Sequence, residues 1–194
     1  MFGELPTHPE NDAIVQRVAR LAVRRCHIYR TGGHGEGMYL GQQGGDGCVF
    51  DSIFEDNLIH DTGGDQGDGI EINEGSVGNT VRGNVIFNTK YPCIYVENVG
   101  PGKPNLIERN LCWGSRDNTV QINGNAVVRN NIILHGRRAA LRLGPETEGF
   151  PRPRVDAPVK AFNNVLFERR GFAVVFAPDL RVVFANNSVD GAAE

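Results

Sequence analysis

Apolar residues recur with period two in short runs along most of this chain. GMYLGQ (37–42), GIEINE (69–74), CIYVEN (93–98), TVQING (119–124), ALRLGP (140–145) and AVVFAP (173–178) all alternate. Half-buried strands show this pattern, because successive side chains point to opposite faces. Met38 and Leu40, Ile70 and Ile72, Ile94 and Val96, Val120 and Ile122, and Leu141 and Leu143 are therefore expected to face inward. A second kind of run lies between these: EDNLIH ending at His60, RGNVIF at Phe87, ERNLCW at Trp113, RNNIIL at Leu134, FNNVLF at Phe167 and ANNSVD at Asp190. Each contains one asparagine at the same place: Asn57, Asn84, Asn110, Asn131, Asn164 and Asn187. An earlier copy, RRCHIY ending at Tyr29, carries Cys26 there. A third short run, CVF, NTV, NLI, AVV, VKAF or RVVF, leads into each asparagine.

From Cys26 onward the intervals are 31, 27, 26, 21, 33 and 23 residues. Short strands joined by turns of variable length give such an uneven period, whereas helical hairpins hold a steadier one. Three strands and three turns per repeat describe a coil, and stacked coils form an all-β solenoid, a single-stranded parallel β-helix of about six to seven coils. Coils stack at about 4.8 Å, the spacing between hydrogen-bonded strands. Identical amides at that spacing bond to one another along the axis, so the asparagines are expected to form a ladder. Asparagine also tolerates the left-handed backbone of a sharp corner.

The chain ends are less regular. Asn11 or Asp12 could cap a helix over residues 12–20, placing Ile14, Val15 and Val18 on one side. The alternative is strand entry, because LAVRRC (21–26) aligns with AVVRNN (126–131). The expected division is an N-terminal segment or capping helix within 1–21 and a repeat domain over 22–194. The sequence stops just after Asn187 without a visible cap, which points to part of a longer array.

Composition adds exclusions. The 194 residues include 25 glycines and carry a net charge of −3. No basic face suggests a nucleic-acid partner. No apolar run is long enough for a membrane span, and the N-terminus lacks the pattern of a signal peptide. Cys26, Cys48, Cys93 and Cys112 show no zinc-ligand spacing. Their redox state stays open.

The repeats resemble the right-handed parallel β-helix superfamily, which includes pectate lyases, polygalacturonases and other carbohydrate-active proteins. The resemblance spans residues 22–190 and extends to GEGMYLG (35–41) and GDGIEINEGSVGNTVRGN (67–84). It implies a polysaccharide partner, lyase-like or binding function, and an extracellular or cell-surface location. It does not fix chemistry, since the fold carries many functions. Gly33-His34-Gly35 is similar to a polygalacturonase triplet, but that family's Asn-Thr-Asp, Asp-Asp and Arg-Ile-Lys motifs are absent, as is the Asp-Pro-His-Asp of uronan epimerases.

Candidate chemistry follows from the residues between the inward positions. Tyr39, Glu71, Tyr95, Gln121 and Arg142 should stack in one outward column, with Asn73, Glu97 and Asn123 beside it. Aromatic rings stack on sugar faces, while amides and carboxylates pair with hydroxyls. Tyr39, Asn73, Tyr95, Gln121, Asn123 and Arg142 are thus candidate substrate contacts. Glu71, Glu97 and Asp68 are candidate catalytic carboxyls, for which a hydrolase requires a separation of about 5–9.5 Å. In the turn TGGDQGD (62–68), Asp65 and Asp68, with Asp61 before them, offer oxygen ligands for Ca2+; simple turn chemistry explains them equally. Lys90 and Arg116 are the nearest candidate bases for a lyase. His60 falls in a column with Phe87, Trp113 and Phe167 and is expected to pack there. The alternative function is a non-catalytic structural or adhesion segment of a larger surface protein.

Overall fold

Among the described residues, thirteen that are not glycine adopt positive φ, and most stand at the corners between strands. Arg25, Asp56, Arg109, Asn130, Asn163 and Asn186 each immediately precede the ladder position. The ladder asparagines themselves are not left-handed. Sharp turning is the work of the preceding residue, which frees the asparagine side chain to point inward. This corrects the expectation that one residue does both.

The structure is a computed structural model that describes residues 16–145, 158–178 and 180–193. All regular elements among these are strands, and every pairing is parallel. One sheet stacks Ala22–Arg24, Ile53–Glu55, Thr80–Arg82, Asn105–Glu108, Ala126–Arg129, Val159–Phe162 and Val182–Ala185. A second stacks His27–Tyr29, Leu58–His60, Val85–Phe87, Leu111–Trp113, Ile132–Leu134, Val165–Phe176 and Ser188–Ala193. The third face comprises Met38–Leu40, Ile70–Ile72, Ile94–Val96, Val120–Ile122, Ala139–Leu143 and the later part of Val165–Phe176, which bridges the two sheets. Together they form a right-handed parallel β-helix.

Two sequence expectations change here. Gln16–Ala19 is a strand paired with Gly47–Phe50, not part of a helix. Arg20 then turns left-handed at φ 59°, which a continuing helix forbids. The open edge of Gly47–Phe50 gains a partner in this way, and the solenoid already includes Gln16. Residues 12–15 of the expected helix lie outside the described residues. CVF belongs to that extra pair, while Ile53–Glu55 is the strand that leads into Asn57.

The interior is a stack of matched apolar residues. Ile70, Ile72, Ile94, Val96, Ile122, Leu141 and Leu143 are fully buried, in register with Met38, Leu40 and Val120. The asparagine ladder is continuous: Nδ2 of Asn57, Asn84, Asn110, Asn131 and Asn164 donates to Oδ1 of the next member at 2.9–3.0 Å. Each Oδ1 also accepts a backbone N–H from the preceding coil, beginning with Cys26. A second, shorter ladder stands at another corner, where the Ser52 N–H donates to Asn79 Oδ1 and Asn79 donates to Asn105 Oδ1.

Outside the core, Arg24, Glu55, Arg82, Glu108 and Arg129 share one register column of alternating charge. Both Arg24 and Arg82 bond Glu55 at 2.6 Å, and Arg129 bonds Glu108 at 2.7 Å. His60 packs as expected: its ring stacks on Phe87 with centroids 4.7 Å apart, and Phe87 stacks on Trp113 at 4.4 Å. All four cysteines are free, with Cys48, Cys93 and Cys112 buried.

Candidate functional site

Tyr39, Glu71, Tyr95, Gln121 and Arg142 pair in register across five coils, as the alternation requires. Their surroundings are not the open, solvated face that the pattern suggested. Glu71, Asn73, Glu97, Gln121 and Asn123 are each at most 6% exposed. All of these but Asn73, which is fully buried, form the floor of a cleft of about 820 Å³, whose wall adds His34, Glu36, Gln43, Gln66, Asp68, Tyr91, Pro92 and Asp117.

Stacked turns raise that wall. The Asp65 N–H donates to Gly33 O at 2.8 Å, the Gln66 N–H to His34 O at 2.7 Å, and the Gly37 N–H to Asp68 O at 2.8 Å. Glycine is required in this stack: a Cβ on Gly35 would lie 1.4 Å from Gly63 O. Within the second turn, the Thr62 hydroxyl donates to Gly67 O at 2.5 Å. The glycine-rich segments 31–36 and 62–68 therefore carry His34, Glu36 and Asp68 to the edge of the floor.

The polar floor is a connected network. With its amide nitrogen turned toward the carboxyls, Asn73 donates to Glu71 Oε1 at 3.1 Å and to Glu97 Oε2 at 3.0 Å. Glu71 and Glu97 also hydrogen-bond directly, so one proton lies between them. Burial, then the charges of Asp68 and Glu97, push the Glu71 carboxyl up to about 9. Asn118 Nδ2 donates to Gln121 Oε1 at 2.8 Å, and Asn123 Nδ2 donates to the Tyr95 hydroxyl oxygen at 2.9 Å. The Asn123 bond holds the Tyr95 hydroxyl at the cleft. Tyr39 stays 45% exposed, its phenol raised above the ordinary range by burial and by Glu71.

Asp68 is the outlier. It is 2% exposed, and its Oδ1 has no hydrogen-bond partner. Burial, followed by Glu36 and Asp117, holds its carboxyl well above the ordinary range. A buried polar atom left unsatisfied costs about 1–3 kcal/mol, more if charged.

Several expected residues do not meet at the site. Arg142 keeps its column but does not line the cleft; its Nη2 donates to Pro145 O at 2.8 Å. Lys90 Nζ is held by Gly64 O at 2.5 Å and Asp65 O at 2.9 Å, and neither it nor Arg116 lines the cleft. The three aspartates suggested for Ca2+ diverge. Asp61 accepts from His60 Nδ1 at 2.8 Å and from Asn88, the side chain of Asp65 is exposed, and Asp68 lies in the cleft. Among the described residues no three His, Cys, Asp or Glu side chains are grouped to hold a metal. The residues present therefore do not fit a calcium centre. Sequence reasoning missed Asp117, Tyr91, Gln43 and Gln66, which reach the cleft from turns rather than from the alternating strands. Spacing within a strand carries no signal for them.

The described fold is shared with solved alginate epimerases. The periplasmic alginate epimerase AlgG matches with a TM-score of 0.66 at 14% identity, over 91% of this chain and 43% of AlgG. Its T265N mutant matches with a TM-score of 0.67 at 17% identity, over 88% of this chain and 40% of that one. The A-module of the Azotobacter vinelandii mannuronan C-5 epimerase AlgE4 matches with a TM-score of 0.52 at 11% identity, over 92% and 61%. The chain thus spans about two fifths of the length of AlgG. At these identities the likeness is one of fold. No curated protein matches the chain in sequence. The family model for the right-handed β-helix region matches residues 13–194, nearly the whole chain, and with the three-sided parallel stack it places this protein in the right-handed β-helix family.

Proposed function

We propose that this chain is a carbohydrate-active β-helix protein that holds a polysaccharide along the cleft over its third face. One observation carries the reading: Tyr39, Glu71, Tyr95 and Gln121 stand in register on the floor of a cleft large enough for several sugar rings. Tyrosine rings offer flat apolar faces, and the amide-carboxyl network beneath offers hydroxyl partners along the cleft. The named activities of AlgG and AlgE4 are compatible with a glycan here. An extracellular or periplasmic location accompanies this reading, as AlgG is periplasmic.

The geometry favours binding over lyase chemistry. Among the described residues no Lys or Arg lines the cleft to serve as base or to neutralise a uronate, and Glu71 and Glu97 are engaged with each other and with Asn73. That engagement also favours the second reading, a non-catalytic structural or adhesion segment. Calorimetric titration with a panel of neutral, acidic and amino-sugar oligosaccharides separates the readings, together with reducing-sugar and 235 nm absorbance assays with and without Ca2+. Binding that is lost in Tyr95→Ala supports the glycan cleft. Absence of both binding and turnover across the panel would leave the structural reading.

A further inference from the structure

We propose that the glycan this cleft takes is cationic, an amino-sugar polymer with protonated amines, rather than a polyuronate or a neutral chain. The inference rests on the glycan reading above and names its substrate class.

Among the described residues the lining is acidic. Glu36, Asp68, Glu71, Glu97 and Asp117 line the cleft, no described Lys or Arg does, and His34 is the one histidine among the lining residues. Nearby cations are directed elsewhere: Lys90 to turn carbonyls, Arg142 to Pro145 O. Arg138, outside the lining, pairs with Asp117 at 3.4 Å and so offsets one of the five carboxyls. A polyuronate would set a carboxylate on every sugar against this lining with no described Lys or Arg to pair it. An ammonium instead lowers the raised carboxyls of Asp68 and Glu71 and lets them ionise beside it.

Asp68 supplies a second, independent sign. Its Oδ1 is buried in the cleft lining and lacks a donor. Few such atoms occur in a native structure, and a donor entering the cleft would satisfy this one. Metal is a poor candidate, because no three carboxyls converge among the described residues. An ammonium fits: it is a compact positive charge with three donors, and one carboxylate suffices to bind it. The exposed rings of Tyr39 and Tyr91 add faces that attract both a sugar ring and a cation. Carboxyls spread over neighbouring coils, instead of clustered at one point, suit a ligand with a repeated charge.

The test uses the full chain in isothermal titration calorimetry at mildly acidic pH, where sugar amines are protonated. The probes are β-1,4-linked glucosamine oligomers, their N-acetylated counterparts, oligogalacturonate and oligolysine. The amino-sugar oligomers should bind at least about tenfold more tightly than the acetylated ones, with affinity falling as salt rises. Asp68→Asn should weaken that binding about tenfold, and so should Glu36→Gln, a change in a partly exposed turn residue that spares the core. Equal or tighter binding of the acetylated or uronate oligomers would overturn the cationic assignment and leave the glycan reading standing. Oligolysine binding as tightly as the amino sugar would overturn it in favour of a polycation site. Failure of every glycan to bind would remove both readings.

Discussion

Replacing Asn110 with alanine tests the physical basis of the solenoid. Four hydrogen bonds disappear. Oδ1 no longer accepts from Asn84 N and Asn84 Nδ2, each at 3.0 Å, and Nδ2 no longer donates to Val81 O and Asn131 Oδ1, each at 3.0 Å. Two neighbours keep other partners: Asn84 Nδ2 still reaches Phe54 O at 2.9 Å, and Asn131 Oδ1 still accepts from Asn110 N at 2.9 Å. The Asn84 backbone N–H is left orphaned in a residue with no solvent exposure. Counting about 1 kcal/mol for each of the three other lost bonds, with about 1–3 kcal/mol for the orphaned N–H, gives a loss of roughly 4–6 kcal/mol. That is a large share of the about 5–15 kcal/mol available to a typical domain. Asn187→Ala at the last rung is the control. Asn187 is only half-buried, so water replaces its partners and the loss should be about 1 kcal/mol. Urea unfolding followed by circular dichroism gives the totals, and hydrogen exchange at the Asn84 amide reports the local opening. Similar losses for the two variants, or less than about 1.5 kcal/mol for Asn110→Ala, would refute the view that buried rungs hold the coils together.

Stability should depend on pH through Glu71. Its folded carboxyl titrates near 9, above its ordinary 4.5, so between these values the folded chain keeps a proton that the unfolded chain has released. Stability is then fullest below 4.5 and falls as pH rises toward 9, by up to about 1.4 kcal/mol per pH unit. Glu71→Gln should flatten that slope in denaturation at several pH values, and an unchanged slope would contradict the shared-proton pair. Gly69→Ala should cost about 2 kcal/mol or more by thermal melting, since a Cβ there would lie 2.3 Å from Cys93 O and 2.5 Å from an Ile86 methyl. Glu55→Ala leaves Arg24 and Arg82 facing each other without their shared carboxylate; the expected loss is about 1–2 kcal/mol, reduced at high salt, and a salt-independent loss would point to packing instead.

The sequence by itself determined the repeat, the inward positions and the ladder. Period-two alternation must place Ile70 and Ile72 on one face and Glu71 on the other, and six asparagines at one repeat position must stack once the coils do. The register column from Tyr39 to Arg142 followed from the same geometry. Tertiary structure decided what that column meets. Whether Glu71 lies in water or in a cleft depends on turns 31–36 and 62–68, which rise beside the sheet by backbone contacts that no side-chain pattern encodes. The same holds at the N-terminus, where 16–19 reads as amphipathic helix locally, yet a strand edge waiting at 47–50 draws it into the stack. Local periodicity fixes direction, because it is set by backbone geometry. Burial and partnership are set by segments distant in sequence, and for that reason Asp61, Asp65 and Asp68, close along the chain, point to different surroundings.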